Sequence, residues 1–451
     1  MNSKKNATSQ NEDSQISLVP KLRFPEFQSE GEWTTEALGL LATISTEKVG
    51  SNICIPMSIT SGVGLVSQQE KFGRIIAGSS YKNYLLLKRN DFAYNKSATK
   101  EYPEGFIALY TGSELAAVPN SIFTCFRVQG ASTVPQYLNY LFLGNFHGKW
   151  LRNFIEVGAR AHGSLSINEK DLLALPVPLP NGKNSISEQQ KIAECLSSAD
   201  ELIASQVRKL DALKTHKKGL IQQLFPREGE TQPRLRFPEF QNSGDWEVAS
   251  IQEFIDRKFI VGHLDGNHGS LYPRAEEFSE TGVPYISANC LDNGRVDFSR
   301  CKYLPEKRAR QFKKGVARDG DILFAHNATV GPVAKLTTHF GLVILSTSLT
   351  YFRCNQDLLV SDFLKCALVS PAFVDQYARV MSQSTRNQIP ITTQRTFSLQ
   401  IPALPEQKRI ADCLTALEDL VIAQTQKLEV LKIHKKGLTQ QLFPVLVEVE
   451  V

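Results

Sequence analysis

A segment of 39 residues occurs twice in this chain. Glu188 to Pro226, EQQKIAECLSSADELIASQVRKLDALKTHKKGLIQQLFP, aligns without a gap on Glu406 to Pro444, EQKRIADCLTALEDLVIAQTQKLEVLKIHKKGLTQQLFP, with 22 of 39 positions identical. An internal repeat constrains architecture more than any single motif, because both copies must satisfy one plan. The plan extends upstream: Lys21 to Phe27 reads KLRFPEF and Arg234 to Phe240 reads RLRFPEF, followed by Trp33 and Trp246. Each copy then runs through a body, 34–175 or 247–401, and a proline-rich exit, PVPLP from Pro176 or PALP from Pro402. The flanks match while the bodies show little similarity, so something holds the flanks alike and lets the bodies differ.

Both repeats lack internal proline and are rich in Leu, Ala, Gln, Lys and Glu, which predicts helices. Ile192, Leu196, Ala199, Ile203, Leu210, Leu213, Leu220 and Leu224 recur at spacings of three and four, with polar gaps at Gln206 and Lys217. Ile410, Leu414, Leu417, Val421, Leu428, Leu431, Leu438 and Leu442 keep the same register. That is a heptad seam. A helix of about 36 residues spans ~54 Å, more than a compact domain needs. Two matched seams in one chain are most simply buried against each other, antiparallel, since a whole body lies between the end of one and the start of the next.

At 451 residues the chain exceeds one ordinary core. The expected division is a disordered tail over 1–20, a first domain over 21–180, a central helix and linker over 181–232, a second domain over 233–405, a helix over 406–444 and a tail over 445–451. The first nineteen residues hold no apolar core of a signal peptide, and no apolar run is long enough for a membrane span, so a cytoplasmic protein is expected. Eight cysteines without a C-x-x-C pair signal neither a disulfide framework nor a metal site. Net charge is +5, from 51 basic and 46 acidic residues, which is compatible with a nucleic-acid partner but does not demand one.

The exit running into E-Q-x-x-I-A, a leucine heptad helix ending K-K-G-L-x-Q-Q-L-F-P, and the doubling of both resemble the specificity subunits of type I restriction-modification systems. The FPEF-to-Trp lead-in matches too, so the resemblance covers Lys21 to Pro444. It implies an α+β chain: two mixed α/β target-recognition domains in tandem, each followed by a long helix, the helices pairing as an antiparallel coiled coil. It implies double-stranded DNA as partner, two docked methyltransferase subunits with motor-nuclease subunits joining them, and no cofactor. Two unlike readers on a fixed spacer would select half-sites about one helical turn, ~34 to 36 Å, apart, hence an asymmetric two-part target.

Candidate reading residues lie in two stretches per body. Asn90 to Lys96, NDFAYNK, resembles the family's strand-to-loop motif, and Gly320 to Asn327, GDILFAHN, holds the same place. The polar residues that follow each apolar strand, Lys96 and Ser97 or His326 and Asn327, are candidates. Before each exit stand GARAHGS, with Arg160, His162 and Ser164, and SQSTRNQ, with Arg386, Asn387 and Gln388. Arg suits guanine O6 and N7, and Asn or Gln suits adenine N6 and N7. The basic run Arg300 to Arg318 would add phosphate contacts. Identical polar faces, His216, Lys217 and Lys218 or His434, Lys435 and Lys436, are candidate docking points for two copies of one partner.

A base-methylating enzyme would need an N/D-P-P-aromatic tetrapeptide, and a translocase a Walker lysine loop; neither is present. Asp91 and Asp321 recur without a nuclease pattern and are expected to hold turns. A non-catalytic subunit is therefore expected. A tandem scaffold whose bodies bind proteins shares the pattern but predicts no salt-dependent affinity for duplex DNA. A self-sufficient enzyme predicts methyl transfer or cleavage by the isolated chain.

Overall fold

The computed structural model describes residues 18–60, 62–155, 165–266, 271–383 and 387–444. The chain divides into two units, one of 1–205 with 428–451, the other of 206–427. Most of the two expected tails lies outside the described residues, but Leu18 is already tied in: its carbonyl accepts from Trp33 N at 3.0 Å.

The expected helices form as Ser185–Leu224 and Leu404–Leu442. Each contributes to both units. In the first unit, Ile192, Ala193 and Leu196 from the start of the first helix share a core with Leu442 and Phe443 from the end of the second. In the second unit the arrangement is reciprocal: Ile410, Ala411 and Leu414 share a core with Ile221, Leu224 and Phe225. Pairing start against end in each unit is antiparallel. The L-F-P close of each repeat therefore serves the body of the other copy. Phe443 packs on Tyr137 and Phe146 at 5.2 and 5.3 Å between ring centroids, and Phe225 packs on Trp246 and Phe363 at 5.8 and 5.4 Å.

The remaining repeat residues follow from the same joint. Glu188 and Glu406, 1% exposed, each take a bidentate pair from a lead-in arginine: Arg23 at 2.8 and 2.8 Å, Arg236 at 2.8 and 2.7 Å. Gln189 Oε1 accepts from Val134 N and Gln407 Oε1 from Val360 N, each just ahead of a body helix, Pro135–Leu143 or Ser361–Ala367. These are the N-cap amides of the two helices, which have no intrahelical partner. Leu22 N donates to Gln441 O and Leu235 N to Gln223 O, both at 2.9 Å, so each lead-in grips the start of one repeat helix and the end of the other.

Although unlike in sequence, the bodies share a topology. In the first, Thr34–Ala37 pairs antiparallel with the exit strand Pro176–Leu179. One four-stranded sheet runs Ala42–Ser45, Phe123–Val128, Asp91–Asn95, Phe106–Leu109; another runs Gly64–Ser67, Ile55–Thr60, Ala116–Val118, Leu85–Leu87. In the second body, Glu247–Ser250 pairs with Ser398–Ile401. Ile260–Asp265, Leu349–Cys354, Ile322–Asn327 and Thr329–Lys335 repeat the first sheet, extended by Arg295–Val296 and Leu291–Asp292. Lys302–Leu304, Val283–Ile286, Val343–Leu345 and Val316–Ala317 repeat the second. The central strands are buried on both faces, as Asp91–Asn95 is throughout, which makes them continuous apolar runs rather than alternating ones. No helix among the described residues is long and apolar enough to cross a membrane.

Candidate nucleic-acid interface

The strand-to-loop motif is a rigid bracket. Asn90 and Gly320 stand at φ 70° and 83°, a left-handed conformation that Gly adopts freely and Asn tolerates. The aspartate after each is 1% exposed and caps the turn: Asp91 Oδ2 accepts from Lys88 N, and Asp321 Oδ2 from Arg318 N, both at 2.8 Å. A neighbouring strand supplies the balancing cation. Arg127 reaches Asp91 at 2.6 and 2.7 Å, and Arg353 reaches Asp321 at 2.9 and 2.7 Å. Hydrogen bonding to these carboxylates raises both guanidinium pKa values further, so both arginines stay cationic. The recurring aspartates thus fix where the strand begins and where its far end delivers Lys96 or His326.

At that far end the two stretches singled out in the second body meet, and in the first the strand end meets Leu165, the residue after the pre-exit stretch. In the second body Ile389 N donates to His326 O at 2.8 Å, Ala328 N to Asn387 O at 2.9 Å, and Asn327 bridges Gln388. In the first, Leu165 N donates to Lys96 O at 2.8 Å. Asn387 is exposed, and Lys96, Ser97, Asn327 and Gln388 are half-buried. Ser97 N is held by Asn95 Oδ1 at 3.0 Å. Arg160, His162, Ser164 and Arg386 lie outside the described residues.

His326 differs from the expectation. It is 1% exposed, and its Nδ1 donates to Ile389 O at 3.1 Å, so its ring supports the segment carrying Asn387 and Gln388 from beneath. The sequence places His326 after its strand, at the loop end; it is instead a residue of the strand Ile322–Asn327 and faces inward. The basic run is also less available than its sequence implies. Arg300 holds Asp297 at 2.9 Å, Arg308 holds Glu277 at 2.6 Å, Arg310 pairs with Glu306, and Lys302 lies over the Phe278 ring. Lys307, Lys313, Lys314 and Arg318 are exposed.

The docking candidates split by position. His216, Lys218, His434 and Lys436 are exposed, whereas Lys217 and Lys435 turn inward. Lys217 pairs with Glu418 at 3.4 Å, and Lys435 with Asp200 at 2.5 Å. These are the same pair of repeat positions in both units. Beside each lies a cavity, of about 450 Å³ walled by Lys214, Lys217 and Lys218, and of about 470 Å³ walled by Lys432, Lys435 and Lys436. Gly219 has nothing within 4 Å of where a Cβ would stand, and Gly437 only a side-chain nitrogen at 4.0 Å. Neither glycine is required by the chain's own packing.

Comparison with known proteins gives a consistent result. The sequence profile of a family described as "Type I restriction modification DNA specificity domain" matches residues 244–432. The "Type I restriction enzyme MjaVIII specificity subunit" of Methanocaldococcus jannaschii is 24% identical over 299 residues, 64% of this chain and 66% of that protein. A "Putative type I restriction enzyme MjaX specificity subunit" of the same organism is 27% identical over 341 residues, 74% of this chain and 73% of that one. The chain thus spans just under two thirds of the first relative's length. Among solved structures, the type I restriction-modification system S subunit from M. genitalium has the same fold, with a TM-score of 0.55 at 15% identity, over 95% of this chain and 100% of that one.

Proposed function

We propose that this chain is a specificity subunit of a type I restriction-modification system and that it reads a two-part duplex DNA sequence, each body contacting one half. The observation that carries this reading is the meeting of a strand end and a pre-exit segment in the second body, matched in the first by the contact of the corresponding strand end with Leu165. Loops and strand ends braced by a rigid scaffold are where readout side chains belong. In the second body they bring Asn327, Asn387 and Gln388 together; in the first, Lys96 and Ser97 stand at the corresponding strand end. Amide side chains can read adenine, while lysine can read guanine or hold a phosphate. Because these residues differ between bodies, the half-sites differ and the target is asymmetric. The repeat helices set the unread spacer, 40 residues of helix being ~60 Å long.

The same reading assigns the H-K-K-G turns to two copies of a methyltransferase subunit, to which motor-nuclease subunits attach. An interior helical glycine costs about 1 kcal/mol relative to alanine. Its presence in both repeats without an internal cause is what close approach by a partner helix would require. Chemistry then resides in those partners, this chain supplies sequence choice, and the assembly works in the cytoplasm.

The test is duplex binding by the full chain with its methyltransferase subunit, together with a map of modified bases in the host. A steep loss of affinity with salt and a two-part motif that disappears when the gene is deleted are expected. A protein-binding scaffold would show neither.

A further inference from the structure

The second body holds its pre-exit segment with a buried chain of polar groups. Arg395 Nε donates to His263 Nδ1 at 3.4 Å. A guanidinium only donates, so the His263 proton resides on Nε2, which donates to Gln394 Oε1 at 3.3 Å. The Gln394 amide then donates twice, to Thr350 Oγ1 and to Ile389 O, each at 3.0 Å. His326 Nδ1 donates to the same Ile389 carbonyl. Gln394 and Thr350 are 0% exposed and His263 4%. Burial lowers the His263 pKa to about 4, which keeps the ring in the neutral form this direction of donation needs.

Strand register identifies the corresponding place in the first body. Phe126 and Phe352 each precede the arginine that binds the motif aspartate, and they pair with Ile44 and His263 respectively. An isoleucine therefore stands where the second body has a histidine. The fold tolerates an apolar residue at this site, and a buried polar chain is unfavourable unless each member is satisfied. Packing alone does not account for the histidine. What the chain does hold is one carbonyl, that of Ile389, immediately after Asn387 and Gln388.

We propose that Gln394, seated between His263 and Thr350, is a positioning residue for sequence reading by the second body: it clamps the Ile389 carbonyl and thereby sets the pose of Asn387 and Gln388. The proposal rests on the reading of those two side chains as base-edge contacts. Bidentate contacts tolerate only small misplacement, so a support released beneath them lowers discrimination between bases more than it lowers affinity for DNA as such. Ile389 is held from two sides, by Gln394 and His326, which fixes the carbonyl in direction as well as in distance.

The experiment compares methyl transfer by the full chain in complex with its methyltransferase subunit. The substrates are the duplex carrying the mapped motif and duplexes with single base-pair changes in either half. Gln394→Met keeps length and volume while removing every hydrogen bond. Discrimination within the half read by the second body is expected to fall about tenfold, the loss of one good base contact, with the other half unchanged. His263→Phe, which leaves both Gln394 donors in place, is expected to have a smaller effect on the same half. A uniform loss of rate on all duplexes, with discrimination intact, would overturn the proposal and leave Gln394 a purely structural residue. If Gln394→Met abolishes modification altogether, Thr350→Val is the second variant. Partial relaxation of the same half supports the proposal, and unaltered discrimination overturns it. Asn387→Ala and Gln388→Ala separate the two levels. If they too leave discrimination intact, the reading of that segment fails; if they relax it while Gln394→Met does not, only the role of Gln394 fails.

Discussion

Gln206 and Gln424 occupy the same position of the two repeats, and the Gln206 amide nitrogen donates to both the side-chain and main-chain oxygens of Gln424, at 2.9 and 3.0 Å. A residue can meet its own counterpart in an antiparallel helix pair only at the midpoint of the pairing. The pairs Lys217–Glu418 and Lys435–Asp200 join the same two repeat positions, one pair within each unit. The polar interruption in the heptad pattern therefore fixes register, much as a single buried amide does in a coiled coil.

Gln206→Ala is expected to destabilise the chain by about 1 to 2 kcal/mol, through loss of the bonds and a small cavity. Gln206→Leu combined with Gln424→Leu is expected to be neutral or stabilising, since an apolar pair suits the seam. Guanidinium unfolding midpoints of the three proteins check both signs.

The lead-in arginines give a sharper effect. Arg236→Met leaves Glu406, 2% exposed at its side chain, without its cation, and should cost about 3 to 5 kcal/mol. Adding Glu406→Gln should recover most of this, because the uncompensated charge is what destabilises. Thermal unfolding of the single and double variants distinguishes this from a simple loss of packing.

Two glycines should respond with opposite sign. Gly294 has φ 78° and faces Glu418, which a Cβ would strike, so Gly294→Ala should destabilise the second unit by more than about 1 kcal/mol. Gly219 is helical with open space beside it, so Gly219→Ala should stabilise the isolated chain by up to about 1 kcal/mol. The same change should weaken partner binding, which titration with the methyltransferase subunit measures.

His147 and His263 set a pH dependence. Burial lowers both pKa values to about 4, below the ordinary value of about 6.5 in an unfolded chain. Between these values the unfolded chain binds more protons than the folded one, so stability is full above pH 6.5 and falls as pH drops toward 4. Each ring can contribute roughly 3 kcal/mol across that window. Measured between pH 6.5 and 5, above most carboxylate titration, the slope of unfolding free energy should shrink in His147→Leu; an unchanged slope would exclude this source.

The repeat made much of the frame legible from sequence. Periodicity located both helices, and the heptad positions Leu196, Leu210, Leu414 and Leu428 are buried. The crossing of Phe225 and Phe443 into the other copy's body was not legible, because a terminal L-F-P has no local mark of its destination. The common topology of the bodies was hidden for a related reason. Short strands buried on both faces lose the period-two signal, and only the Asn90-Asp91 and Gly320-Asp321 turns betrayed it. At the candidate interface, sequence located Asn387 and Gln388 but not Gln394, His263 or Thr350, which come together from positions as much as 131 residues apart.

The claim that each body reads its own half of one target is tested most directly by mapping modified bases in hosts carrying the wild-type chain, Lys96→Ala or Asn387→Ala. One half of the motif should loosen in the Lys96 variant and the opposite half in the Asn387 variant, with the spacer length constant in all three. Loosening of the same half by both, or an unaltered motif in both, would contradict it.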